Sequence, residues 1–242
     1  MTALLFAELL KLRTLRLPWI LGGLAVAISG LVGFAVVRMS IDAGQPLHLS
    51  LVAGAPAQAL WFLAIVSAVL ATAGEFHHRT VRSTLLAAPR RGRVLLAKGT
   101  VAGAYGGMLV VLGGASAAAA GMVSAARSGV SFSPVNSWGS LAGAVAVGAL
   151  FAVLATGLGT ITRSTAAAIG AVLLWRFAGE ALLPMLLHDD RLTRWTPNGA
   201  AEALLGLGSA PLAPWAAGVV LAGYAVAVCG IATVLFLRRD PA

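Results

Sequence analysis

An all-α membrane protein with several spans is the fold class expected of this chain, for three reasons. Of its 242 residues, 59% are hydrophobic and 10% charged, against roughly 25% charged in a soluble domain. The mean hydropathy is +0.92. The apolar residues gather in six runs, about 17–37, 55–74, 99–123, 139–161, 166–187 and 215–237, and a spanning helix needs about 20 residues. Helices are expected because a backbone in lipid must satisfy its own hydrogen bonds. No alternation of about ten residues marks a barrel.

The first element, 1–16, favours helix but is too short to span. Leu5, Leu9 and Leu12 form a stripe, with Glu8 and Lys11 turned away from it. Arg13 and Arg16 can snorkel to headgroups, so an interfacial helix in contact with membrane lipid is expected. The first span follows directly. Its 21-residue run exceeds the roughly 7–15 residues of a signal-peptide core, so it is expected to be retained. Glycines at 99, 103 and 107, and again at 139 and 143, recur every four residues and suit close helix packing. In the connection 188–214, Thr196-Pro197 reads as an N-cap followed by proline at the first helical position. Ala200, Ala201, Leu204 and Leu205 then give a short helix an apolar face, ending near Gly206 and Gly208. No repeat or linker divides 1–242, so a single transmembrane domain is expected.

Seventeen bases against eight acids and a pI near 11.4 do not call for nucleic acid here. Basic excess in a membrane protein reports cytoplasmic loops and anionic lipid. Twelve bases lie in one alternate set of connections: Lys11, Arg13, Arg16, Arg79, Arg82, Arg90, Arg91, Arg93, Lys98, Arg163, Arg238 and Arg239. Four lie in the other: Arg38, Arg127, Arg191 and Arg194. Both termini are therefore expected in the cytoplasm.

Several chemistries are excluded or weak. A single cysteine, Cys229, allows neither an intramolecular disulfide nor a thiolate metal cluster. A phosphate loop needs lysine directly after glycine. The two lysines follow Leu10 and Ala97, so any nucleotide chemistry must come from a partner. Glu75 and His78 have Glu-x-x-His spacing, but di-metal bundles need two such motifs. No metal site is expected, and adjacent Asp189 and Asp190 read as solvated charges. Arg176 and Glu180 fall inside the fifth run, four apart and therefore on one helical face. Groups at that depth face a bundle interior or a wet cavity, so they are either a structural ion pair or part of a pathway.

Residues 75–98 concentrate the charge. Val81, Leu85 and Ala88 share a helical face with Arg79 and Arg82 off it. Pro89 stops that helix, Arg90, Arg91 and Arg93 follow, and Lys98 leads into the third run. The pattern is a short helix with an apolar contact stripe and basic flanks, held between two spans.

The phrase GEFHHRTVRSTLLAAPRRGRVLLAK resembles the first cytoplasmic loop of bacterial ABC-2-type transporter permeases. Glu75, Thr80, Val81, Arg82, Leu85, Pro89, Arg91 and Lys98 carry the match. AELLKLRTLR resembles that family's amino-terminal connecting helix, and RWTPNGAAEALLG its outer segment before helix six. The resemblance implies a non-enzymatic, multi-pass transport subunit of the bacterial inner membrane, most often an exporter. It implies a cytoplasmic coupling helix between spans two and three, and a short outer helix between spans five and six. It further implies a second permease subunit, identical or different, and two copies of a separate cytoplasmic ATPase that bind ATP and Mg. Rival classes are an ion-coupled secondary transporter, for which Glu180 is the one acid well inside a run, and a non-transport membrane scaffold.

Overall fold

The computed structural model describes residues 1–77, 91–132, 138–180, 182, 185, 190–207 and 212–238. Among them there is no strand. Helix α1 (Thr2–Thr14) is separated from α2 (Arg16–Asp42) by Leu15, which is extended at φ −77°, ψ 143°. Pro18 accounts for the break, because its ring would strike the Thr14 carbonyl and it has no N–H to give. Trp19 Nε1 instead donates to the Arg13 carbonyl at 3.1 Å, serving the end of α1. Pro56 divides α3 (Leu49–Gly54) from α4 (Ala57–His77) in the same way.

Next come α5 (Arg91–Arg127) and α6 (Trp138–Thr162). The chain turns into α7 (Thr165–Leu174) through Arg163, whose φ of 53° is rare for a residue with a side chain. Ser164 caps α7 by accepting from the Ala167 N–H at 3.3 Å. A π-helical turn, Trp175–Gly179, continues it. A 3-10 turn (Asp190–Trp195), α8 (Pro197–Leu204) and α9 (Pro214–Arg238) complete the order. As the sequence predicts, Thr196 Oγ1 accepts from the Gly199 N–H at 3.1 Å, with Pro197 opening the helix.

Five stretches are long and apolar enough to cross a membrane: Arg16–Asp42, Leu49–Phe76, Arg91–Arg127, Trp138–Thr162 and Pro214–Arg238. This is the architecture of a multi-pass membrane protein. The fifth sequence run, 166–187, differs. Its described apolar helix, Thr165–Gly179, is shorter than a span, and beyond Glu180 only Leu182 and Met185 are described. The 75–98 segment is also narrower than its sequence suggests. Helix α4 runs to His77 and α5 begins at Arg91, which leaves 78–90 between them, outside the described residues.

Helix α5 is the central post, packed on α2, α4 and α6. At 37 residues it is about 55 Å long, so it projects beyond a hydrocarbon core of about 30 Å. The closest approaches lie both on and off the predicted glycine ladder: a methyl group on Gly143 would strike the Leu204 carbonyl. A methyl group on Gly106 would come 2.6 Å from the Gly148 carbonyl of α6, and one on Gly33 would strike the Ala117 backbone. Gly103 is also tight, 3.0 Å from Val153, whereas Gly139 faces open space. The buried hydroxyls of Thr156 and Thr160 bond back along their own helix, to the Ala152 and Thr156 carbonyls at 2.9 Å. Large apolar side chains such as Leu31, Trp138, Trp215 and Val226 point outward, as a lipid solvent favours.

Candidate functional site

Four charged side chains meet where α1, α4 and α5 converge. Lys11 donates to Glu8 at 2.7 Å and to Glu75 at 2.8 Å. Lys98 donates to Glu75 at 2.5 Å and reaches both Glu8 oxygens at 3.2 and 3.3 Å. Each cation touches both carboxylates, so the ring is neutral and every charge is offset. The side chains of Glu8, Glu75 and Lys98 are only 10–13% exposed, and Lys11 is 37% exposed. Burial opposes the Lys11 ammonium, but hydrogen bonds and attraction from Glu75 and Glu8 outweigh it. Its pKa stands above the ordinary lysine value.

Glu8 and Lys11 therefore face the bundle, the reverse of the sequence expectation. The reason is that α1 presents Phe6, Leu9 and Leu10 outward. At a membrane edge an apolar face can go to lipid, while charges find partners in protein. The quartet borders a cleft of about 710 Å³ that also reaches Ser67, Tyr105 and Thr165. Tyr105 Oη donates to the Pro18 carbonyl at 2.6 Å and ties α5 to the start of α2.

A second cluster closes the same end. Phe76 of α4 and Phe236 of α9 meet edge to face with centroids 6.0 Å apart. The Arg163 guanidinium lies 5.3 Å over Phe76, and Arg91 lies 5.9 Å over Phe236. Arg91 Nη1 also donates to the Phe236 carbonyl at 2.9 Å, where the carbonyl end of a helix favours a cation. Of the residues the sequence singled out, Glu75 and Lys98 join the quartet, Arg91 caps α9, and Arg93 is exposed on α5. Arg79, Thr80, Val81, Arg82, Leu85, Pro89 and Arg90 lie outside the described residues.

At the far end of the bundle, Arg176 and Glu180 approach only to 3.7 Å. Glu180 is engaged instead by α8, accepting from Asn198 N at 3.2 Å and from Asn198 Nδ2 at 2.6 Å. The arrangement is a carboxylate docked on a helix start more than an ion pair. Among the described residues no group of three or more histidine, cysteine, aspartate or glutamate side chains could hold a metal. No protein-family model and no curated protein matches the chain.

Sequence reasoning missed Glu8, Lys11 and Asn198 as site residues. A signal for the first two was present, since Lys11 and Lys98 are the chain's two lysines and both are flanked by apolar residues. Asn198 carried none beyond its place in the first turn of α8.

Proposed function

We propose that the chain is the membrane-spanning permease subunit of an ABC-2-type ABC transporter, working as an exporter in a bacterial inner membrane. In this reading Thr165–Gly179 and the residues after it supply a sixth span, and both termini are cytoplasmic. Two such subunits, identical or different, pair around a pathway. A separate cytoplasmic ATPase, in two copies, binds ATP and Mg and presses on 78–90.

One observation carries the reading: both roots of 78–90 are anchored to other helices. Glu75 and Lys98 tie them to α1 through the charged ring. Phe76 and Arg91 tie them to α9 through the aromatic cluster. A push on 78–90 is thereby delivered to four helices at once, as a power-transmitting segment requires. The chain's lack of a Gly-Lys pair fits an energy source on another subunit.

The test is co-purification from the native membrane with a P-loop ATPase. Leu85→Asp is expected to release the ATPase while the permease still inserts, since a buried apolar anchor carries most docking affinity. Retention of the ATPase by that variant would remove the coupling reading. Orientation has its own check. With Cys229 replaced, Ser131→Cys should react with impermeant thiol reagents in whole cells and Ser83→Cys should not.

A further inference from the structure

A cavity of about 770 Å³ opens among α4, α6, α7 with its π turn, α8 and α9, at the end away from the charged ring. Its wall includes Trp61, Phe62, Trp175 and Tyr224, together with the charged Arg176 and Glu202. Trp61 is fixed in place, because Nε1 donates to the Ala144 carbonyl at 3.2 Å and the ring packs edge to face on Phe151. Phe62, Trp175 and Tyr224 are each partly exposed, so their rings remain available.

The balance of charge at this wall is informative. Arg176 is offset by Glu180 at 3.7 Å, and Glu180 is held in position by Asn198. Glu202 is the charge left over: among the described residues it makes no ion pair. The lining itself carries one cation and one anion among aromatic rings; with Glu180, which stands 3.7 Å from Arg176 without lining the cavity, the charges here sum to one negative. Aromatic faces attract cations whose charge is weakly hydrated, and pockets of several hundred Å³ commonly take small organic ligands.

We propose that this cavity binds a lipophilic monocation, with its apolar body against the rings and its positive centre directed to Glu202. As a statement about transported substrate it rests on the permease reading, but binding itself does not. The ligand chemistry is a single delocalised or shielded positive charge on a body of drug-like size. An anion of the same shape would meet Glu202 unfavourably, and Glu180 beside Arg176 would oppose it as well.

The experiment uses the full chain in phospholipid nanodiscs, with tetraphenylphosphonium and its anionic isostere tetraphenylborate as probes and empty nanodiscs subtracted. Tetraphenylphosphonium should bind saturably, one per chain, and tetraphenylborate should not displace it. Glu202→Gln should weaken binding by about tenfold, the order expected for one charged contact, with an unchanged unfolding midpoint. Glu202→Asp should retain most of the affinity, and Tyr224→Leu should weaken it. Equal binding of the two probes, uptake no greater than in empty nanodiscs, or an unaffected Glu202→Gln would each overturn the proposal. Such a failure leaves ATPase capture untouched. Conversely, saturable cation binding without ATPase capture would retain the cavity and remove the transporter.

Discussion

The two ends of the bundle hold charge in different ways. Gln58 on the cavity and Glu75 in the ring lie on one helix, roughly 25 Å apart at 1.5 Å per residue. At the ring, two cations and two carboxylates interlock at 2.5–3.3 Å, and three of the four are nearly buried. At the cavity, Arg176 is 46% exposed and stands 3.7 Å from its carboxylate, which α8 has claimed. A closed ring holds helices together, whereas an open wall with a surplus charge leaves room for a ligand. The comparison teaches that proximity in sequence is a poor guide to how tightly charges pair: Glu75 and Lys98 are 23 residues apart and bond directly, while Arg176 and Glu180, one turn apart, come only to 3.7 Å.

The strongest way to break this contrast is to remove one cation from the ring. Lys98→Ala leaves two buried carboxylates sharing Lys11, and should destabilise the chain by about 3–5 kcal/mol, read as a lower unfolding midpoint in detergent. Asn198→Ala should come next. It removes one charged hydrogen bond from Glu180 but leaves the backbone one, for a loss of about 1.5–3 kcal/mol. Arg176→Ala should cost less than about 1 kcal/mol, as exposed pairs do. A loss as large as that of Lys98→Ala would show the two ends to be built alike.

The smallest effect expected is from alkali. The pKa of Lys11 is raised in the folded chain, so its contribution is fully present below the ordinary lysine value of about 10.4 and is lost as pH rises through the raised one. Between pH 7 and about 9 the contribution of Lys11 should stay constant. A double-mutant cycle between Lys11 and Glu8, followed by unfolding across that range, checks it.

Much of the fold was legible because the membrane imposes length and hydropathy on each span. Proline chemistry marked the Thr196-Pro197 start of α8 equally well. Three features were not fully legible, each for a physical reason. The facing of α1 was only partly read, because lipid, unlike water, accepts Phe6 and Leu9, while Glu8 and Lys11 turn inward beside Leu12 and find partners there. The Arg176–Glu180 spacing presumed an α-helix, but the π turn Trp175–Gly179 alters the register and Asn198 competes for the carboxylate. The repeat marked the close contact at Gly143 but not those at Gly33 and Gly106, which depend on how α2, α5 and α6 cross.

The central claim is that the ring passes force from 78–90 into α1. The direct test is thiol accessibility of Ser67→Cys, in the cleft beside the ring, in a Cys229→Ser background with the proposed ATPase bound. In the otherwise native chain, a non-hydrolysable ATP analogue should change the labelling rate several-fold. Glu75→Leu/Lys98→Leu removes both links from 78–90 to α1, leaving Glu8 and Lys11 paired and the links to α9 in place; it should retain the ATPase and show no change with nucleotide. The same nucleotide-dependent change in both proteins would contradict the account.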